Sequence, residues 1–576
     1  MNALDNFVKD SALSYLQNVV YIDDKIYYGS QVAEDTSITG VPNFDGPSFF
    51  ESGQENAGSD SSSVKGKEPP IDTAYDDSNS TSGSDSAEYH PRDLMESFAS
   101  KGIVCALFEP DEDVEIAVDS EMFKLCDRAD IVILDWDLYN DDGEKVSRLL
   151  SNLVIQSKSV HPHQVRLCAI YTSRPSLHPI ADSLLNNLQT SGCDNVEVVE
   201  GKLQLTSGST RISVLGKPVS SGRPPDDDEY TVEESELSDR LLSDFCELHS
   251  GLLPGMTLKG LAAIRNNTKR LMEKFSRDLD SAFLFHRALL LHDHDAVEEF
   301  SELISDEINS ILEDSLSDIP ELPDIVDNLV ESLEIDSAVL SWKNQDGVDF
   351  DHVSPIKALL SGGHYKFKEN TSDWNQYKFI KHGFQGCPPK ILGDLEKALC
   401  SGENNTLELL SALYCCRTLY GEDHRKLKFG TIVRKKVGEN WIYSICLMPL
   451  CDSRSRRSSP TSMKFPFWQL NLDPKSGLNY KRAGISANGI DGTVSLAAGG
   501  KIRDKLWIAE FRTEADGWVK ASNESDRYIF SNCDNELQWV AELKPLHSQR
   551  IAAHLGTEAS RVGLLESEWL RLLCDR

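Results

Sequence analysis

The sequence predicts an α/β domain built on a doubly wound, parallel five-stranded sheet, followed by a helical segment and an α+β C-terminal domain. Three observations carry this. Short, wholly apolar runs such as Ile131-Val132-Ile133-Leu134 alternate with amphipathic stretches, the pattern of strands covered by helices on both faces. The chain has 576 residues, well past the roughly 250–300 at which a single core stops growing, so two or three domains are expected. Composition also shifts abruptly at about residue 30 and again at Gly222-Arg223-Pro224-Pro225-Asp226-Asp227-Asp228.

The elements follow in order. Val19 to Ile22 makes a first strand that stops at Asp23-Asp24. From about 30 to 90 the chain turns to Ser, Gly, Asp, Asn and Glu, too little apolar surface to offset the entropy of ordering, which predicts a disordered insertion. Pro91 suits the first turn of a helix running through Phe98. Strands are expected at Ile103–Phe108, Ile131–Leu134, Val165–Tyr171 and Ile212–Leu215, with helices at Ser120–Ala129, Glu144–Gln156 and Ser176–Gln189 between them. Val196 to Thr210 adds a hairpin-like element before the last strand, which ends at Gly216-Lys217-Pro218. The first domain is therefore placed at 1–222, an acidic helical segment at 223–335 and the α+β domain at 336–576. Between Ala288 and Trp342 there is no Lys or Arg against 16 Asp and Glu, so that stretch is an acidic face. Beyond it, Gly430–Lys436 and Trp441–Leu447 flank a Gly438-Glu439-Asn440 turn, a predicted hairpin. Lys501–Phe511 and Trp518–Ala521 read as strands, and His547–Leu573 as closing helices.

Lys and Arg number 58 against 93 Asp and Glu, a formal net charge of −35. A field of that sign repels nucleic acid and anionic membranes, so neither is an expected partner without a local basic patch. The 13 cysteines contain no C-x-x-C pair, which points to reduced thiols of a cytoplasmic protein. The first ten residues carry Asp5 and Asp10 instead of a basic leader, and no run of about 18 apolar residues occurs.

In an open parallel sheet, ligands bind beyond the carboxyl ends of the strands. Asp23 and Asp24 stand at one such end and Asp135 at another, while Thr172 ends the fourth parallel strand and Lys217 the last. Crowded carboxylates need a cation, and hard oxygen donors suit Mg²⁺. A hydroxyl and an ammonium beside them could hold a phosphoryl group on an aspartate.

With these residues in order, the stretch resembles a response-regulator receiver domain of two-component signalling, a flavodoxin-like fold. The resemblance rests on Val20-Tyr21-Ile22-Asp23-Asp24, on Asp135-Trp136-Asp137-Leu138 leading to Asp142-Gly143, on Tyr171-Thr172-Ser173 and on Lys217-Pro218. It implies that Asp135 accepts a phosphoryl group from a cognate histidine kinase, with the distance to Asp142-Gly143 favouring it over Asp137. It also implies that Asp23, Asp24, Asp135 and the backbone carbonyl of Asp137 hold Mg²⁺, and that Thr172 and Lys217 bind the phosphoryl group. Two departures stand out: the insertion displaces the first helix, and Val214 occupies the position where receivers often carry a switching aromatic.

The output is less marked, and no separate enzyme motif is found. His292-Asp293-His294-Asp295 is better explained as an exposed acidic helix than as a metal set, and His286 as a helical surface residue. Residues 549–566 have the spacing of a helix-turn-helix with Gly556 at the turn, and Arg561 as a phosphate contact of DNA, although Gly563 and Glu558 speak for a packing helix pair. Arg454, Arg456, Arg457, Lys426, Lys428, Arg434, Lys435 and Lys436 form a basic region that a solvated hairpin rim explains equally well. The stretches 441–452 and 560–571 are similar to proteins of phage-defence two-component loci of the Detocs type. That likeness implies a signalling or phosphate-absorbing role beside a separate effector protein.

Overall fold

The computed structural model describes residues 2–26, 91–159, 165–193, 196–207, 210–218, 222–290, 295–317, 319–333, 353–370, 406–419, 425–455, 457, 459–472, 484–489, 492–525, 527–532 and 536–559. The predicted insertion at 30–90 lies outside them, as do His292, His294, Arg456 and Arg561. The chain divides into two compact units, Met1–Asn266 with Asp314–Asp318, and Asn267–Glu313 with Ile319–Arg576.

In the first unit α1 (Ala3–Tyr15) precedes β1 (Asn18–Ile22), and then α2 (Pro91–Ala99), β2 (Val104–Phe108), α3 (Glu121–Arg128) and β3 (Ile131–Leu134) follow. They continue as α4 (Glu144–Ser159), β4 (Arg166–Thr172), α5 (His178–Thr190), β5 (Glu197–Val198), β6 (Gln204–Ser207) and β7 (Thr210–Gly216). The sheet order is β2-β1-β3-β4-β7-β6-β5. Its first five strands are parallel, and β6 and β5 add an antiparallel extension. The sheet thus has seven strands where five were predicted, because the hairpin-like stretch before β7 pairs onto the edge that β7 would otherwise leave open. Every residue of β3, β4 and β7 is buried; β3 reads as an unbroken apolar run, while β4 and β7 also bury polar residues such as Arg166, Arg211 and Ser213. Helices terminate by local chemistry: the Ser120 hydroxyl accepts from the Phe123 N–H at the start of α3, and Asn2 and Asp5 form a capping box on α1.

One sheet face packs on α3, α4 and α5 through residues such as Val132, Met122, Leu149 and Leu184. The other gathers Ala12 of α1 and Leu16 just after it with Leu241, Phe245 and Leu258. The last three belong to α6 (Leu237–Leu248) and α7 (Leu252–Asn266). These two helices therefore lie in the first unit, where their apolar faces finish its second core. Gly255 of α7 sits so close to Phe7 of α1 that a Cβ would lie 2.8 Å from the ring.

The residues after β7 are ordered into a 3₁₀ turn, Pro225–Tyr230, although their composition reads as a linker. Asp227, 2 % exposed, accepts from the Leu177 N–H at 2.9 Å and contacts His178 Nδ1 at 2.6 Å. It thereby caps α5, whose own preceding residue offers no side-chain acceptor. Asp227→Ala should lower unfolding free energy by about 1–3 kcal/mol, since it strands a buried N–H; urea titration beside the wild type measures this.

The second unit contains a three-stranded sheet of β11 (Asn471–Leu472), β13 (Gly492–Ala497) and β12 (Gly484–Gly489) and a seven-stranded antiparallel sheet, order β14-β10-β9-β8-β17-β16-β15. Here β8 is Thr431–Val437, β9 Asn440–Cys446, β10 Ser462–Gln469, β14 Leu506–Arg512, β15 Ser522–Glu524, β16 Arg527–Ser531 and β17 Glu536–Glu542. The β8–β9 pair is the predicted hairpin. Trp518–Ala521 is not a strand: Lys520 makes an isolated bridge to Lys426, and Trp518, Val519 and Ala521 are buried as irregular chain. The predicted strand at 501–511 begins later, at Leu506, after a short helical turn. Pro545–Ala559 is one continuous helix through Gly556, so no turn falls there. Its Ile551 and Leu555 are buried against the sheet with Ile432, Ile445 and Leu543, which keeps the helix running and corrects the helix-turn-helix reading. His286 lies on a helix and reaches Glu299 at 2.5 Å. Among the described residues no helix is long and apolar enough to cross a membrane.

Candidate phosphoacceptor site

The carboxyl ends of β1, β3, β4 and β7 converge, because parallel pairing in register brings Ile22 opposite Leu134, Leu134 opposite Ile170 and Thr172 opposite Gly216. The residues that follow each strand therefore meet. Asp23, Asp24 and Asp135 each present an oxygen, all within 4.8 Å of one another. Lys217 Nζ donates to Asp23 Oδ2 at 2.6 Å and to Asp135 Oδ1 at 3.3 Å. Tyr21 OH donates to the same Asp23 oxygen at 2.6 Å, and the Lys25 N–H to its other oxygen at 2.8 Å. The ammonium also lies over the rings of Tyr21 and Tyr171. Asp23 and Asp135 are buried, so the cluster is largely out of water.

Burial, opposed by the Lys217 ammonium and reinforced by Asp23, holds the Asp135 carboxyl above its ordinary range. Burial works against the Lys217 charge too, but Asp135 and Asp23 outweigh it and keep the ammonium above its ordinary value. One carboxylate oxygen, Asp24 Oδ1, is buried without a hydrogen-bond partner, while Asp24 Oδ2 accepts from the Tyr139 N–H at 2.8 Å. Three convergent carboxylates and an unmet oxygen are a donor set that fits a hard divalent cation such as Mg²⁺.

Asp137 stands apart from this cluster. Its carboxylate takes Arg174 Nη2 at 2.9 Å and the Asp142 N–H at 3.1 Å, so any share in a metal shell falls to its backbone. Arg174 also pairs with Asp142 at 3.2 Å, and its N–H donates to Thr172 Oγ1. Sequence reading passed over Arg174, since a lone Arg after a strand carries no distinctive spacing. The loop that carries Asp137 turns tightly, with Tyr139, Asn140, Asp142 and Gly143 all at positive φ. At Gly143, φ +82°, a Cβ would lie 2.2 Å from the Trp136 indole, so this glycine sets where the loop enters α4.

Half of the basic region is engaged within its own unit, three of its residues by carboxylates. Arg454 pairs with Asp295, Lys426 with Glu298 at 2.8 Å and Lys428 with Glu542 at 2.9 Å, and Arg434 donates to Gln538 while stacking on Trp441.

Comparison with known proteins fits this geometry. Residues 15–222 match the family model described as a response receiver domain. No curated protein and no solved structure matches the chain. The match covers the parallel sheet, the antiparallel extension and the five residues Asp23, Asp24, Asp135, Thr172 and Lys217 at the strand ends. Residues 15–222 are a response receiver domain, the kind of module that two-component response regulators carry and for which a histidine kinase is in general the phosphoryl donor.

Proposed function

We propose that Asp135 is the phosphoacceptor. The observation that carries this is the placing of its carboxylate at the end of β3, against Lys217 and beside Asp23 and Asp24. An Asp135 oxygen attacks the phosphorus of a phosphohistidine; a P–O bond forms, the P–N bond breaks and the imidazole leaves with the electron pair, giving an acyl phosphate. Lys217 is already poised on an Asp135 oxygen, where it can meet the added charge. The Thr172 hydroxyl, at the end of the neighbouring β4, offers a hydrogen bond to a phosphoryl oxygen. Asp23, Asp24 and Asp135 would hold Mg²⁺, which supplies charge neutralisation of phosphoryl oxygens. The second unit performs no separate reaction in this reading, and the protein acts in the cytoplasm, in phage defence, as a signalling or phosphate-absorbing component; the likeness at 441–452 and 560–571 supports that role.

Intact mass after incubation with Mg²⁺ and acetyl phosphate tests the acceptor role, and one labile phosphoryl adduct is expected. EDTA present during the reaction should abolish it, and an adduct of equal yield with EDTA would remove the metal from the proposal. Stability offers a second readout. A carboxyl held above its ordinary range binds its proton more tightly folded than unfolded, so the metal-free fold loses stability as pH rises through the Asp135 range. Mg²⁺ at a hundred times its Kd should return about 2.7 kcal/mol, with the gain shrinking as pH falls back through that range. Thermal unfolding with and without Mg²⁺ across pH measures it, and Asp24→Asn should blunt it.

A further inference from the structure

Arg223 follows β7 by a few residues and folds back onto its end. Its Nη2 donates to the Lys217 carbonyl at 2.8 Å. The guanidinium fills the space where Gly216 has no side chain, and a Cβ there would lie 2.3 Å from Nη1. Gly216 is the register partner of Thr172, and the Lys217 N–H donates to the Thr172 carbonyl at 2.8 Å. The guanidinium thus rests on the short backbone that joins the two phosphoryl-side residues. Its Nε and Nη1 are buried without acceptors, so its hydrogen bonding is incomplete in this arrangement. Val214, buried in the core of β7, leaves the strand itself without a large polar or aromatic side chain at that point.

The segment bearing Arg223 has three further anchors. Asp227 caps α5, the Val232 N–H donates to the Gly216 carbonyl at 3.0 Å, and Tyr171 OH donates to the Val232 carbonyl at 2.7 Å. All tie 222–232 to the ends of β4, β7 and α5. We propose that Arg223 is a positioning residue that fixes the Lys217 backbone and transmits phosphorylation of Asp135 to segment 222–232 and the first turn of α5. The inference rests on the receiver reading above. A phosphoryl group offers Lys217 three new acceptor oxygens and added negative charge. Lys217 must then share or exchange its contacts with Asp23 and Asp135, and any shift of its backbone moves the carbonyl that Arg223 holds. The unmet N–H groups give the guanidinium other hydrogen bonds to form once that carbonyl moves.

Hydrogen exchange read by mass spectrometry on the full chain, with and without acetyl phosphate and Mg²⁺, tests this. In the wild type, phosphorylation should change exchange in 222–232 by at least about fivefold. Arg223→Ala should still take the phosphoryl group at a rate within about threefold of wild type, yet lose that change, and Arg223→Lys should restore at least half of it. Should Arg223→Ala not fold, Arg223→Gln, which keeps packing over Gly216 and one N–H donor, serves in the same comparison. A wild-type response in the Ala or Gln variant would sink the inference, as would an adduct in the wild type with 222–232 unchanged. A fall in phosphorylation beyond about tenfold in a folded variant would place Arg223 in the binding machinery and overturn its positioning role. Absence of any adduct on the wild type would overturn the receiver reading itself, and this inference with it.

Discussion

Asp135→Ala should abolish the phosphoryl adduct, a drop of at least about a hundredfold in yield, while Asp137→Ala leaves most of it. The two acids are two residues apart, but they are in different surroundings. Asp135 is buried on Lys217 beside Asp23 and Asp24, whereas Asp137 is already engaged by Arg174 and the Asp142 N–H. Removing Asp135 also removes a carboxylate whose burial, with the repulsion from Asp23, outweighs its attraction to Lys217, so the variant should fold at least as stably as the wild type in the absence of metal. That separates a lost acceptor from a lost fold. Intact mass and thermal unfolding on the same samples give both readings, and an undiminished adduct on Asp135→Ala would move the acceptor elsewhere.

The second large effect is structural. Gly143→Val should destabilise the first unit by about 3–5 kcal/mol, with Gly143→Ala in between, because a side chain must enter the Trp136 indole from a left-handed backbone. Trp136 is 3 % exposed and directly follows Asp135, so it cannot swing aside without opening the core beneath the site. Phosphorylation should therefore fall along with stability. Guanidinium unfolding of the three proteins measures the series, and a Gly143→Val protein as stable as wild type would show that the loop has another way into α4.

The parallel sheet was legible because burial on both faces favours apolar runs: Ile131–Leu134 was located to the residue, and β1, β2, β4 and β7 to within two at either end. The strand-end acids were legible for a related reason, since topology alone sends the residue after each parallel strand to one edge. What sequence hid were contacts made by residues whose type suggests a loop. Gly222 to Asp228 is a linker by composition, yet Asp227 finds a partner at Leu177, far away in sequence, and Arg223 folds back onto the Lys217 carbonyl. Helix α1 was missed because its apolar positions, Phe7, Val8 and Ala12, are few and its face is matched by helices more than two hundred residues later. Gly556 misled in the opposite direction: a glycine suggests a turn, but a helix held by Ile551 and Leu555 tolerates it.

That distance between α1 and its partners has a consequence for synthesis. Synthesis reaches α1 more than two hundred residues before Leu241, Phe245 and Leu258, which cover the same sheet face. Until about residue 266 has left the ribosome, Leu16, Val19 and Tyr21 have no complete cover, and the nascent sheet presents an apolar surface for as long as translation of the intervening segment takes. A chaperone that holds short apolar stretches would find its binding sites there, and a stall within the intervening stretch would prolong that exposure without changing any residue of the finished protein.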